Sequence, residues 1–374
     1  MSEHRAGPPH KLAYAPVVLV AVALIVAAFV VLEGGGNGTA ENGDEDLPQN
    51  AASGESPTGS CAPDEKLAPR CGAWWGAYIP YDANSSLTEP VYAFEKKIGR
   101  KLDLVYTYHD MSGKKADGEL LTDDEQELGK DRMLMLAWES TVWKERHHAN
   151  YTETQLGWKN IASGKYDAEI IDPQIRRLKA YGKRVLFSFD QEVDARIKEG
   201  AGTPAEYVAA YRHLHDRFRK LGADNVVWVW TVSGYLGSAA TMKQLYPGDD
   251  YVDWIGMDQY NYFGCHDTTD WKDFDESQRP TYDWLLENIS AKKPVMLAEF
   301  ATAPDLADTG RQRGWYTAIP EVIRTMPKVK AMVHWNRATS EEAECDLTVN
   351  SGPALEGYRE AGADRYFKQA VPTR

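Results

Sequence analysis

The feature that most constrains the fold is a series of eight short apolar segments, which alternate with amphipathic segments after residue 72. Such segments are typical of parallel strands buried on both faces. Between them, residues 203–222 open with a capping-box spacing and end at a C-cap glycine, which predicts a helix. Eight strand–helix units over about 300 residues predict a (β/α)₈ TIM barrel. The alternative is a doubly wound open sheet, but no glycine-rich phosphate loop follows the first strand. The predicted strands are Ala73–Ile79, Leu102–Tyr108, Met133–Trp138, Arg184–Phe189, Val226–Trp230, Trp254–Met257, Val295–Phe300 and Ala331–Trp335.

The first 70 residues are predicted to precede this barrel. Residues 12–32 carry no charge, and at about 1.5 Å per residue they span roughly 30 Å, the thickness of a bilayer core. They are therefore predicted to form a single transmembrane helix, which is either a membrane anchor or an uncleaved signal. Basic residues come before this run and acidic residues after it, so we expect residues 1–11 in the cytoplasm and the rest outside. The alternative is a signal peptide that is cleaved to release a secreted domain. Residues 33–70 are predicted to form a flexible acidic linker, and residues 71–370 the barrel domain.

Charge and cysteine content limit the possible partners and compartments. The net charge of −14 argues against nucleic acid as a partner, because phosphate binding needs a basic face. The four cysteines, Cys61, Cys71, Cys265 and Cys345, fit an oxidising compartment and allow three pairings. We favour Cys61–Cys71 as a local link and Cys265–Cys345 as a link between two loops at the top of the barrel. The chain has no Cys-x-x-Cys spacing, so the cysteines do not indicate a metal site.

Two glutamates follow apolar strands, where barrel enzymes carry their catalytic groups. Glu192 follows the fourth predicted strand and Glu299 ends the seventh. An ionisable group beside a buried strand is costly unless it has partners or a task. Strands four and seven lie on roughly opposite sides of an eight-stranded ring, so the two side chains can face each other across its mouth. Retaining glycosidases use two carboxyls about 5–5.5 Å apart, one as proton donor and then base, and the other as nucleophile. The alternative is that both are ordinary polar residues at strand ends.

Five stretches follow one another between residues 182 and 299: Gly182–Phe187 leading to Gln191 and Glu192, then 203–215, 224–230, 246–261 and 293–299. In this order they resemble glycoside hydrolase family 26, the β-mannanase-like barrels with the acid/base on strand four and the nucleophile on strand seven. The resemblance runs from about residue 160 to residue 336. It implies that Glu192 is the acid/base, that Glu299 is the nucleophile, and that Tyr260 donates a hydrogen bond to it. It also implies that Trp335 is a sugar platform in the −1 subsite.

The chain departs from the family at the −1 subsite. Gln191 stands where the family usually has His, and Gln can still donate a hydrogen bond. Trp230 and His334, near the ends of the fifth and eighth strands, are further candidate substrate contacts beside Gln191, Tyr260 and Trp335. Ser188 replaces an arginine, and Val193–Ile197 replaces a Trp-containing stretch. Asp190 and Asp194 flank Glu192, where they either raise its pKa by like-charge repulsion or are solvated loop residues.

These observations predict a retaining endo-glycosidase that hydrolyses a β-linked polysaccharide of the β-mannan, mixed-linkage β-glucan or β-xylan type by double displacement. The alternative is a catalytically weak carbohydrate-binding or cell-surface polysaccharide-processing module that retains the barrel. No cofactor is implied, because hydrolysis with two carboxylates needs only water. The expected partners are the polysaccharide and, through the N-terminal helix, a membrane; the chain is expected to be a monomer.

Overall fold

The computed structural model describes residues 61–81, 86–114, 118–144, 152–197, 199–339 and 343–372. The predicted anchor at residues 12–32 lies outside these ranges, as does the predicted linker up to residue 60, so both stay predictions. Across the described ranges, every helix is too short or too polar to cross a bilayer.

Eight parallel strands close into a barrel, as the sequence predicts. Each of the eight apolar segments forms one of them, with ends within a few residues of the predicted positions. The strands are β1 Trp74–Tyr78, β2 Leu104–Asp110, β3 Met133–Glu139, β4 Thr141–Lys144, β5 Thr152–Gln155, β6 Val185–Phe189, β7 Val226–Val232, β8 Trp254–Asn261, β9 Val295–Thr302 and β10 Val329–Trp335. Around the ring the order is β1, β2, β3, β6, β7, β8, β9 and β10, after which β10 pairs with β1. The short strands β4 and β5 form a separate antiparallel hairpin after β3, which the sequence did not predict.

Helices connect the strands on the outside of the barrel. Thr203 caps the longest of them, and its hydroxyl accepts the backbone N–H of Glu206 in the predicted capping box. This helix ends at Gly222, which adopts the left-handed conformation of a C-cap. The helices are α1 Thr88–Ile98, α2 Asp123–Leu128, α3 Trp158–Ala162, α4 Asp172–Tyr181, α5 Val193–Arg196, α6 Pro204–Leu221, α7 Ala239–Leu245, α8 Phe274–Asn288, α9 Thr309–Thr317, α10 Ile319–Arg324 and α11 Gly352–Gly362.

Side chains of the barrel strands alternate between two buried layers. On β7, Val227 and Val229 point into the lumen, whereas Trp228 and Trp230 pack outward against the helices. A period of two is the rule for strands, and in a small barrel it separates an inner core from an outer one. Only every second residue of a regular strand can therefore reach the mouth of the barrel.

Residues 61–70 close the amino-terminal end of the barrel, which corrects the predicted linker boundary at residue 70. The indole N–H of Trp254 donates to the backbone oxygen of Lys66 at 2.6 Å, and that of Trp74 donates to Leu67 at 2.7 Å. Leu67 itself is buried. Both tryptophans begin a strand, and their buried N–H groups need acceptors that this segment supplies.

Candidate active site

Glu299 lies near the carboxyl end of β9 with two tyrosines donating to it. The hydroxyl of Tyr108 donates to Oε1 at 2.6 Å, and the hydroxyl of Tyr260 donates to Oε2. Only 6% of the Glu299 surface is exposed. Hydrogen bonds to both oxygens orient the carboxylate and stabilise its charged form. The contact with Tyr260 is the one that the family resemblance implies, whereas Tyr108 was not anticipated.

Glu192 lies on a strained turn after β6. Asp190 and Glu192 both have a positive φ, 50° and 51°, which costs free energy for residues other than glycine. The turn is held by Asp190, whose carboxylate accepts the backbone N–H and hydroxyl of Ser140 and the indole N–H of Trp158, each at 2.6 Å. Asp190 is thus fully buried and hydrogen-bonded, so it is not a solvated loop residue. Its role is to fix the backbone that presents Glu192.

The two glutamates differ in what surrounds their oxygens. Burial and the nearby Asp194 carboxylate raise the pKa of Glu192, and Arg196 opposes the rise. Burial and the Glu192 carboxylate raise the pKa of Glu299, whereas the hydroxyls of Tyr108 and Tyr260 lower it. In the described part of the chain, no group donates a hydrogen bond to the Glu192 carboxylate. The pair therefore holds a proton near neutral pH, and the two phenol donors favour that proton on Glu192.

A buried ionic cluster lies beside Glu192. The carboxylate of Glu139, at the end of β3, accepts the side-chain N–H of Gln191 and, at 2.9 Å, the indole N–H of Trp143. Arg196 pairs with Glu139 at 3.0 Å and with Glu199 at 2.8 Å. This pairing keeps the amide nitrogen of Gln191 directed at Glu139. Gln191, predicted to contact substrate, lies next to Glu192 with one of its two amide N–H groups donating to Glu139.

Asp258 is a third carboxyl next to the pair. It lies directly opposite Glu299 in the β8–β9 register and is 1% exposed. Neither of its oxygens has a hydrogen-bond partner among the described residues. Burial and the neighbouring Glu299 and Glu192 carboxylates raise the pKa of Asp258 well above its usual value. Asp258 is consequently an uncharged carboxylic acid, because a buried and unpaired carboxylate is too costly.

Two aromatic surfaces flank Glu299. Trp335, at the end of β10, stacks on Tyr78 with ring centroids 4.3 Å apart and an angle of 18° between the planes. The ring of Tyr108 stands perpendicular to Trp335 at 5.5 Å. On the other side, Tyr260 and Tyr262 stack at 5.0 Å. Flat aromatic faces suit the apolar faces of sugar rings, so the position of Trp335 is compatible with its predicted role as a platform.

Two predicted substrate contacts do not reach the cleft. His334 is completely buried on the outer face of β10, where its Nε2 lies 2.9 Å from the hydroxyl of Tyr316. Burial lowers the pKa of His334 to about 3. Trp230 is buried on the outer face of β7, 5.1 Å from the ring of Tyr246. Both residues follow the strand period, which places them on the helix side of the barrel.

A disulfide joins the loops on either side of β9. Cys265, after β8, is bonded to Cys345, after β10, and both are buried. The second disulfide links Cys61 to Cys71. These are the two pairings favoured from the sequence. Although His266 lies close to Cys265 and Cys345, both sulfurs are used in the disulfide, so they provide no thiolate for a metal.

The comparisons with known proteins agree with this geometry. The model of glycosyl hydrolase family 26 matches residues 165–279. Endoglucanase H of Acetivibrio thermocellus is 31% identical over 303 residues, which are 78% of this chain and 30% of that protein. The β-1,3-xylanase TXYA of a Vibrio species is 34% identical over 160 residues, which are 41% of this chain and 33% of that protein. The chain thus spans about a third of the length of these curated relatives.

Solved structures show the same fold. The crystal structure of a ruminal GH26 endo-β-1,4-mannanase aligns with a TM-score of 0.55 at 18% identity, covering 79% of this chain and 64% of that one. This likeness concerns the fold alone. Together with the barrel and the ordered motifs around Glu192 and Glu299, these comparisons make the chain similar to glycosyl hydrolase family 26, whose model matches its residues 165–279.

Proposed function

We propose that this protein is a retaining endo-glycosidase that hydrolyses a β-linked polysaccharide. The observation that carries the proposal is the contrast between two neighbouring glutamates at the barrel mouth. Glu299 receives two hydrogen bonds that favour its charged form, whereas Glu192 receives none from the described residues. A nucleophile must be charged and a general acid must hold a proton at the working pH.

The mechanism follows from these two states. In the first step Glu192 gives its proton to the glycosidic oxygen while a carboxylate oxygen of Glu299 bonds to the anomeric carbon, and the leaving sugar departs as an alcohol. In the second step Glu192, now charged, takes a proton from water, and the resulting hydroxide displaces Glu299. The anomeric configuration is inverted twice and so retained. Tyr108 and Tyr260 position the Glu299 carboxylate for both steps.

We rank β-glucans and β-xylans ahead of β-mannans as substrates. The two relatives above 30% identity are named as an endoglucanase and a β-1,3-xylanase. The mannanase likeness is at 18% identity and concerns the fold. The family resemblance also implies that Gln191 and Ser188 change the −1 subsite relative to the mannanases. The two disulfides favour action in an oxidising compartment outside the cytosol.

The test is reducing-sugar release by the full chain, purified in mild detergent, from cellulose, mixed-linkage β-glucan, β-1,3-xylan, β-1,4-xylan and β-mannan. We expect release from at least one polymer, and Glu299→Ala should lower it by roughly 10⁴-fold or more, the scale for loss of a covalent nucleophile. Glu287→Ala, an exposed glutamate on α8, is the matched control and should change nothing. Proton NMR of the anomer formed first tests retention.

Two results would contradict the proposal. If every polymer stays intact while one of them is bound by both the parent and Glu299→Ala, the protein is a carbohydrate-binding module. If the first-formed anomer has the opposite configuration, Glu299 is a general base and the enzyme is inverting.

A further inference from the structure

Tyr235 is an unusually exposed aromatic residue on the rim of the barrel. It follows β7, at the carboxyl ends of the strands where Glu192 and Glu299 lie. Its surface is 65% exposed, the largest fraction among the large hydrophobic side chains of the described residues. Single exposed aromatic residues are common on protein surfaces, but at the mouth of a barrel such a ring offers a flat apolar face on which a sugar ring can stack.

The ring of Tyr235 lies against the backbone of Gly237. A Cβ atom at position 237 would stand 2.3 Å from Cε1 of the tyrosine and 2.5 Å from Cζ, which is closer than any real contact. Gly237 does not have a positive φ, so its backbone conformation is open to other residues. Glycine is needed here for space, because it lets the chain support one part of the ring while most of the ring stays open to solvent.

The loop that carries Tyr235 is tied to the site. The carboxylate of Asp194, two residues after Glu192, accepts the backbone N–H of Ser233 at 2.8 Å and its hydroxyl at 2.6 Å. The hydroxyl of Thr281 donates to the backbone oxygen of Gly234 at 2.7 Å. The two residues before Tyr235 are therefore held in place, and Ser233 is held by the segment that directly follows Glu192.

The order of strands gives the direction in which a substrate would pass. Trp335 and Tyr78 belong to β10 and β1, the eighth and first strands of the barrel, whereas Tyr235 follows β7, the fifth. The fifth strand of eight lies across the ring from the first. A linear glycan whose −1 sugar lies on the Trp335 side would cross the mouth past Glu192 and leave over Tyr235.

We propose that Tyr235 is the stacking platform of a subsite on the leaving-group side, where it binds the apolar face of a pyranose ring of the substrate chain. This inference rests on the proposed function and adds to it a binding site about 40 residues away from the acid/base in sequence. Because general acid catalysis protonates the departing oxygen, sugars beyond Glu192 belong to the leaving group. Tyr235 would then contribute to the affinity for long chains without taking part in chemistry.

The experiment compares Tyr235→Ala and Tyr235→Phe with the parent on two kinds of substrate. One is the polymer that the panel identifies, and the other is a β-cellobiosyl or β-xylobiosyl fluoride, which has no sugar on the leaving-group side. We expect Tyr235→Ala to lower kcat/KM for the polymer about three- to tenfold, the scale of a lost stacking contact, mainly through KM. The fluoride should react at an unchanged rate, and Tyr235→Phe should resemble the parent.

Two further variants make the test specific. Tyr92→Ala removes the other tyrosine among the exposed large hydrophobic residues, which lies on α1, and it should leave polymer hydrolysis unchanged. Gly237→Ala should displace the ring and reproduce part of the Tyr235→Ala effect. Equal rates for Tyr235→Ala and parent on the polymer, or equal losses on polymer and fluoride, would overturn the inference while leaving the proposed function intact. If the parent hydrolyses nothing, mobility in polysaccharide-containing native gels replaces kinetics, and unchanged retardation of Tyr235→Ala again overturns the inference.

Discussion

The turn after β6 and the end of β9 solve the same problem in different ways, since each must present one carboxyl to the mouth of the barrel. Glu299 on β9 is oriented through its own oxygens, by the hydroxyls of Tyr108 and Tyr260. Glu192 after β6 is oriented through its backbone, in a strained turn that buried Asp190 holds in place.

The surrounding charges differ in the same way. The hydrogen-bond donors to Glu299 are two neutral phenols, which oppose the rise in its pKa that burial and the Glu192 carboxylate cause. Around Glu192 the nearby groups are ionic, with Asp194 and Arg196 acting on its pKa in opposite directions. The difference teaches two things. Hydroxyl donors can stabilise the Glu299 carboxylate without adding charge. The Glu192 carboxyl has no such donors, so it can keep a proton and pass it on.

The largest effect that separates the two sites is expected from Glu192→Gln. Loss of a general acid should lower kcat/KM on the polymer by about 10²- to 10⁴-fold. A 2,4-dinitrophenyl glycoside has a leaving group that needs no proton, so its first step should be nearly unaffected and a burst of dinitrophenolate should precede slow turnover. The measurement is stopped-flow release of dinitrophenolate. Equal losses on both substrates, or a similar loss in the Glu287→Gln control on α8, would contradict the assignment of Glu192.

A smaller effect is expected when either phenol donor to Glu299 is removed. Tyr260→Phe and Tyr108→Phe each delete one hydrogen bond to a charged group, which contributes about 1.5–3 kcal/mol, so activity should fall roughly 10- to 100-fold. The donors lower the pKa of Glu299, so their loss raises it. The acid limb of kcat/KM should therefore move to higher pH, with activity lost first at low pH. A pH profile with an unmoved acid limb would show that the tyrosines act only by packing.

The covalent link beside β9 gives a prediction about stability. Cys265–Cys345 closes a loop of 80 residues, and Cys61–Cys71 closes one of 10. Replacing the first pair with alanine should lower the free energy of unfolding by about 2–4 kcal/mol. In the chain-entropy model, replacing the second pair should lower it by about 2 kcal/mol less than that, because its loop is shorter. Chemical denaturation of the two double variants measures the difference. Equal losses would indicate that the long link does not stabilise the β9 side more than the short link stabilises its own end.

The smallest effect on activity is expected from Asp258→Asn, because the native residue is already uncharged. Activity near pH 6 should stay within about threefold of the parent. A carboxyl whose pKa is raised on folding stabilises the protein fully below its unfolded pKa of about 4, and that contribution is lost as pH rises towards the folded pKa. The asparagine variant lacks this loss. As pH rises from 5 to 8, the difference between the melting temperature of the variant and that of the parent should therefore grow in favour of the variant. A large loss of activity at pH 6 would show that Asp258 is charged.

Much of the fold could be predicted because its signals are local. Each barrel strand is an apolar run between turn or helix signals, and all eight were found. The hairpin of β4 and β5 was missed because it has only four residues in each strand and no strong turn signal in between. Glu192, Glu299 and Tyr260 were proposed from their positions at strand ends and the family resemblance, and the structure brings them to one mouth.

The partners of these residues could not be predicted, because they are distant in the chain. Tyr108 reaches Glu299 from 191 residues away, and Glu139 reaches Gln191 from 52. Trp230 and His334 were placed in the cleft because they lie near strand ends. The period of two sends them to the outer layer, which could be deduced only with the phase of each strand known.

The amino-acid sequence by itself determined which segments become strands and which polar residues follow them, because strand formation depends on local apolar runs and their boundaries. The tertiary structure alone decided which face each residue occupies. On β9, Ala298 is an extra residue in the pairing with β8, between the partners of Met257 and Asp258. Ala298 lies in the inner layer, and because of this bulge the next residue, Glu299, also points to the lumen, where strict alternation would have turned it outward. A bulge is created by pairing between strands, so no single segment of the sequence contains it.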